Sequence, residues 1–150
     1  MMKDFEIKIF APEHIPEAAE IERLCFSEPW SENALMYMCS ENPFAVAIVD
    51  KDNGRLAAYG GVQYVLDEGN IVNIATHPDY RRRGLATVVM HELEARLRER
   101  GVETVFLEVR QSNVPARTLY EKEGYAPSRV IKNYYRFPAE DAVEMFKKLN

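Results

Sequence analysis

Hydrophobic and polar positions along the chain switch between a two-residue period and a helical one, and the switches mark out its elements. Phe5, Ile7 and Ile9 alternate with polar residues, which predicts a half-buried strand. From Glu13 to Phe26 the period becomes helical, with Ile15, Ala18, Ile21 and Leu24 or Cys25 on one stripe. Pro29-Trp30-Ser31 interrupts it, and Ser31 is placed to N-cap a short helix through Met38. Phe44–Val49 is strand-like, Asp52-Asn53-Gly54 signals a hairpin, and Leu56–Leu66 resumes the extended pattern. Asp67-Glu68-Gly69 then turns the chain into a strand over Asn70–Thr76.

A long helix is predicted over Leu85–Arg100, where Leu85, Val89, Leu93 and Leu97 recur every fourth residue and Gly101 suits the C′ position. Val102–Val109 follows as an apolar strand, so the unit is a strand–helix–strand crossover with two parallel neighbours. Asn113–Lys122 is a shorter helix stopped by Gly124, and the chain is extended around Tyr125–Tyr135. The tail Asp141–Leu149 carries helix-forming residue types, yet Val143, Met145, Lys147 and Leu149 alternate. It is assigned as an edge strand. The sum is a mixed α/β fold, an antiparallel meander leading into one parallel crossover.

Composition narrows the class of protein. A chain of 150 residues accommodates one domain, and 47% hydrophobic with 29% charged residues argues against disorder. The longest apolar runs, Phe44–Val49 and Leu85–Met90, fall far short of a membrane span. Lys3, Asp4, Glu6 and Lys8 break up any signal-peptide core, so a cytoplasmic protein without a membrane partner is expected. A net charge of −5 points away from direct nucleic-acid binding and is compatible with a basic substrate. Cys25 and Cys39 form no CxxC pair and are expected to be small buried residues. His14, His77 and His91 are scattered, which predicts surface or interfacial side chains and no metal site.

Candidate chemistry concentrates between Asn73 and Thr87. An apolar strand ends, Pro78 forces a loop, and Arg81-Arg82-Arg83-Gly84 opens the long helix. A helix N-terminus presents unpaired N–H groups and about half a positive charge, and it favours a phosphate. Gly84 and Ala86 lack bulk, so a diphosphate could approach the main chain closely. Neither the Walker spacing nor the Rossmann glycine pattern is present.

R-x-x-G-x-A at Arg81, Gly84 and Ala86 resembles the coenzyme A signature of the Gcn5-related N-acetyltransferases. The likeness continues through Leu107-Glu108-Val109-Arg110, Ser112-Asn113, Ala116, Leu119-Tyr120 and Gly124-Tyr125. Glu28-Pro29-Trp30-Ser31 and Asn133-Tyr134-Tyr135 resemble the branch that acetylates ribosomal-protein N-terminal alanine. The resemblance implies a single domain over residues 1–150: a mixed, mostly antiparallel sheet with one parallel β-α-β crossover and helices on both faces. It further implies acetyl-CoA as co-substrate and no metal. The pantetheine arm would lie along Ile74, Ala75 and Thr76, the diphosphate on the amides of Arg82, Arg83, Gly84, Leu85, Ala86 and Thr87, and Asn113 would contact the cofactor arm. Ala86, where glycine is common, and Thr76, where an apolar β-branched residue is usual, depart from the family pattern without removing a backbone amide.

Acetyl transfer to an amine needs a base for the attacking nitrogen and benefits from an acid for the leaving thiolate. Glu108 interrupts the apolar run Val105-Phe106-Leu107 and Val109, so burial would raise its pKa and strengthen it as a base. Pairing with Arg110 or another arginine is its purely structural alternative. By resemblance Tyr120 faces the coenzyme sulfur and serves as acid; packing beside Leu119 is its structural alternative. Tyr125, Tyr134 and Tyr135 are given wall or packing roles, and neither cysteine is needed for a ternary-complex transfer. The branch resemblance implies a protein or peptide N-terminus as acceptor, that of a basic ribosomal protein, with Phe26–Trp30 and Asn133–Phe137 at its entrance. A small-molecule amine acceptor and a non-catalytic coenzyme-binding module remain alternatives.

Overall fold

The computed structural model describes residues 2–150. Seven strands form one sheet in the order β1-β2-β3-β4-β5-β7-β6. They span β1 Phe5–Ile9, β2 Phe44–Asp50, β3 Leu56–Val65, β4 Glu68–Thr76, β5 Thr104–Arg110, β6 Ala126–Arg136 and β7 Ala139–Lys148. Helices α1 Ile15–Cys25 and α2 Glu32–Tyr37 cover one face, packing Ile15, Ala18, Ile21 and Leu35 onto Ala47, Leu56 and Tyr59. Helices α3 Leu85–Glu99 and α4 Val114–Lys122 cover the other, where Leu85, Val89, Leu93 and Leu97 bury the predicted stripe against Val46, Ala58 and Val105. The expected fold class therefore holds, with helices on both faces. No helix among the described residues is long and apolar enough to cross a membrane.

Local chemistry explains the boundaries. The Ser31 hydroxyl accepts from the Ala34 amide at 3.1 Å, the N-cap expected of it. Gly101 ends α3 with φ 83°, a conformation that costs glycine little. Gly60 on β3 lets α3 lie close to the sheet, since an added Cβ would stand 2.4 Å from Val89 Cγ1. The β3–β4 turn is tighter than expected and starts one residue earlier, at Leu66-Asp67, with Leu66 at φ 55° and Glu68 already in β4.

The tail is a strand, but it is not an edge. β7 runs between β5 and β6 because the chain folds β6 back over its free side as a hairpin, and β6 becomes the edge. Two histidines also depart from expectation. His14 and His77 are buried, each accepting a backbone N–H through Nδ1, from Ala11 at 2.9 Å and from Asp79 at 3.0 Å. They act as internal caps, while His91 is exposed as expected. The cysteines are both free and half-buried, less enclosed than expected.

Every neighbouring pair of strands is antiparallel except β4 and β5. Their parallel pairing runs from Glu68↔Thr104 only to Ile71↔Leu107. A bulge then bends β4: Val62 of β3 pairs with Ile71 and Gly61 with Asn73, leaving Val72 unmatched. Beyond it β4 stays with β3 as far as Thr76, while β5 stays with β7 as far as Arg110. The sheet thus forks at its centre.

Candidate active site

The fork exposes strand edges inside a sheet. Ile74, Ala75 and Thr76 pair with Gly60, Tyr59 and Ala58 on one side, and their other side has no strand partner. Main-chain groups at such an edge, Thr76 O excepted because it accepts from Cys25 Sγ at 3.4 Å, suit an extended, amide-bearing ligand. A cleft of about 850 Å³ fills the fork. Ile74, Glu108, Asn113 and Tyr120 all line it, so two expected cofactor residues and both expected catalytic residues meet in one space. Ala75, Thr76 and the turn over residues 82–87 do not line it. The Ala75 side chain is buried with the α1 and α2 core.

Glu108 stands on β5 one residue beyond the last β4 pair. Strand alternation buries Val105, Leu107 and Val109 with the α3 core, and so it turns Phe106, Glu108 and Arg110 to the opposite face. Burial raises the Glu108 pKa above the usual carboxylate range, and the Glu144 carboxylate directly across on β7 adds to the rise. Asn70 opposes it, donating its side-chain amide to both Glu108 oxygens at 3.3 Å and to Phe106 O at 3.0 Å. Arg129 also opposes it, and its own ion pair is with Glu144 at 3.1 Å. The partner of Glu108 is therefore Asn70, not Arg110.

Tyr120 comes from the other face. Its ring packs with the α3 core and meets Tyr125 edge-on at 6.3 Å. Its hydroxyl has no hydrogen-bond partner among the described residues, and burial alone raises its pKa, so it is a protonated donor at neutral pH. Asn113 caps α4, its Oδ1 accepting from the Ala116 amide at 3.2 Å, which leaves its side-chain NH2 for other partners.

The arginine turn lies at the head of α3. Arg81 to Gly84 are exposed, Leu85 is buried, and Ala86 and Thr87 are half-buried. Arg82 and Gly84 hold φ values of 65° and 74°, so the turn twice enters the left-handed region. An added Cβ on Gly84 would meet nothing within 4 Å, so the space beside Gly84 is open. The first helical bond runs from Val88 N to Gly84 O at 3.2 Å, and the amide donors before it lack intrahelical acceptors, as at any helix start. Successive donors in such a turn can form an anion cradle.

Sequence patterning missed two polar groups here. Asn70 interrupts β4 much as Glu108 interrupts β5, and that shared irregularity was the available signal. Glu22 is fully buried one helical turn after Ala18, a carboxylate on an apolar stripe. It accepts from Trp30 N at 2.8 Å, from the Asn73 side chain at 2.5 Å and from the Tyr59 hydroxyl, tying the segment after α1 to the sheet. Among the described residues no group of acidic, histidine and cysteine side chains could hold a metal ion.

Comparison with known proteins meets this geometry from outside. The ribosomal protein bS18-alanine N-acetyltransferase of Escherichia coli (strain K12) is 38% identical over 130 residues, 87% of this chain and 85% of that one. Its counterpart in Salmonella typhimurium (strain LT2) is 38% identical over 141 residues, 93% and 94% of the two chains. The crystal structure of the ribosomal-protein-S18-alanine N-acetyltransferase from Escherichia coli superposes with a TM-score of 0.88 at 35% identity, covering 97% of this chain and 94% of that one. The sequence profile described as the acetyltransferase (GNAT) family matches residues 15–125, a span that takes in α1, the fork, the arginine turn and Tyr120. With that span covered and relatives matching nearly end to end, the chain is a member of the acetyltransferase (GNAT) family.

Proposed function

We propose that this enzyme transfers the acetyl group of acetyl-CoA to the N-terminal α-amine of a protein, the alanine of a basic ribosomal protein of the bS18 kind. The observation that carries the proposal is the fork: Glu108 on one face and Tyr120 on the other line the cleft that opens where β4 and β5 part. The names of the relatives support the acceptor, and the net charge of −5 suits a basic one.

When bound, acetyl-CoA supplies a thioester carbonyl open to attack by an amine. The amides of Arg82 to Thr87 hold its diphosphate, and the free edge of Ile74–Thr76 aligns its pantetheine arm. The Asn113 side-chain NH2 meets the same arm. Glu108 accepts the proton that leaves the amine as the N–C bond forms. Tyr120 gives its hydroxyl proton to sulfur as the C–S bond breaks, so the reaction needs no covalent acyl-enzyme. Asn70 orients the Glu108 carboxylate and favours its ionised form against the pull of burial.

An α-amine has a pKa near ~8 and a lysine near ~10.4, so at pH 7 about a tenth of the former is neutral, against under about a thousandth of the latter. A single carboxylate base suits the α-amine. The test is mass spectrometry after incubation with acetyl-CoA and mixed acceptors: peptides beginning in alanine, serine or methionine, an N-blocked lysine peptide and polyamines. Acetyl on the alanine-initiated peptide is expected. Acetyl on polyamines alone would overturn the acceptor assignment.

A further inference from the structure

Arg110 belongs to the Leu107–Arg110 motif, yet neither proton transfer nor the diphosphate turn uses it. It projects from β5 two residues beyond Glu108 and on the same face, and it lines the same cleft. Its guanidinium is unusually committed. One terminal nitrogen donates to Pro138 O at 2.9 Å and to Glu140 Oε1 at 3.3 Å. The other donates to Phe137 O at 3.2 Å and lies 4.0 Å from Glu28 Oε2. Its flat face covers the Tyr135 ring at 4.2 Å.

These partners belong to two walls far apart in sequence. Glu28 lies in the segment after α1, while Tyr135 to Glu140 form the β6–β7 turn and its flanks. A second bond ties the same walls, from the Ser27 hydroxyl to Phe137 O at 2.6 Å, so Phe137 O accepts from both Ser27 and Arg110. Glu140 is braced in turn by the Ser112 amide at 2.6 Å, which with Arg110 holds its carboxyl below the usual range and keeps it charged. Only a planar fork can reach two successive carbonyls and a carboxylate while stacking on a ring; a lysine ammonium offers one point of charge.

We propose that Arg110 is the positioning residue of the acceptor entrance, bracketing the segment after α1 to the β6–β7 turn so that the acceptor's first residues meet walls of set spacing. The proposal rests on the acceptor side of the cleft being where the peptide enters, as in the proposed function. It separates Arg110 from the base, because the guanidinium is bonded to Phe137, Pro138 and Glu140 while the Glu108 carboxylate is held by Asn70.

The test compares Arg110→Lys and Arg110→Ala with the parent enzyme. Loss of several charge-assisted hydrogen bonds is expected to raise the acceptor KM about tenfold or more in both variants, since lysine cannot rebuild the fork. kcat stays within about threefold, as expected for lost binding that is shared by ground and transition states. The acetyl-CoA Kd and the pH midpoint of kcat stay put, and amide exchange at Ser27, Glu28, Phe137 and Ala139 speeds up. An unchanged acceptor KM would overturn the proposal, as would an equal loss of acetyl-CoA affinity or a moved pH midpoint. Were the parent enzyme to leave every peptide amine untouched, the acceptor assignment would fail. The bracket would then be judged on exchange alone, and unchanged rates in Arg110→Ala would overturn it.

Discussion

Replacing Glu108 with Gln isolates its proton-accepting role. The side chains are nearly isosteric, and a glutamine oxygen can still accept from Asn70, which donates to both carboxylate oxygens at 3.3 Å. Binding of acetyl-CoA should therefore be unchanged. What disappears is the base. General base catalysis contributes about 10²- to 10⁴-fold, and the lower end applies because an α-amine already supplies about a tenth of its neutral form at pH 7. A fall in kcat of about 10²-fold corresponds to about 2.7 kcal/mol of lost transition-state stabilisation. The sign of the pH dependence adds a second readout. Burial raises the Glu108 pKa, the base works only when ionised, and activity is lost as pH falls through that raised value. In Glu108→Gln the limb disappears, and residual activity follows ionisation of the amine. Initial rates at saturating acetyl-CoA across pH 5 to 9, with Kd measured by calorimetry, test both. Turnover within threefold of the parent with the acid limb intact would refute the assignment of Glu108 as base.

Three further outcomes follow from the same geometry. Asn70→Ala removes the hydrogen bond that favours the ionised carboxylate, so burial acts with less opposition and the acid limb of the pH–rate profile moves to higher pH; a shift to lower pH would contradict the role given to Asn70. Tyr120→Phe is expected to lower kcat about 10²-fold while Tm stays within about 2 °C, because the lost hydroxyl has no partner among the described residues. Gly84→Ala places a side chain at φ 74°, which costs about 1–2 kcal/mol although nothing crowds it, and a thermal melt should show Tm lower by about 2–8 °C.

The elements were legible because each carries its own period and its own stop signal. The α3 stripe from Leu85 to Leu97 and its Gly101 end are local properties, and they survive folding unchanged. What a linear pattern does not carry is which strand lies beside which. The tail read correctly as extended, but its place between β5 and β6 depends on the return of β6, a non-local pairing. Leu66 looked like the last residue of a strand because it is apolar, whereas a tight turn makes it adopt a positive φ. The buried histidines escaped notice for a related reason: Nδ1 of His14 and of His77 finds a backbone partner within three residues, which makes burial cheap.

The site divides in the same way. Glu108 was visible as a charge in an apolar strand, and the raised pKa follows from that placement. The fork was not visible, because it arises from a bulge at Val72 and from β5 leaving β4 after Leu107. Asn70 could have been suspected by the rule that found Glu108, but only the parallel register puts its amide against the carboxylate. Arg110 shows the limit most clearly. In sequence it stood as an alternative partner for Glu108, and in space it faces Glu140, Glu28 and two carbonyls instead.

A crystal structure with acetyl-CoA bound tests the central idea most directly, that a forked sheet aims a thioester between a carboxylate and a phenol. The diphosphate should rest on the amides of Arg82 to Thr87, the pantetheine amides should pair with the free edge of Ile74–Thr76, and the sulfur should lie within hydrogen-bond reach of the Tyr120 hydroxyl with Glu108 across the carbonyl. A cofactor bound outside the fork, with the arginine turn bare, would contradict it.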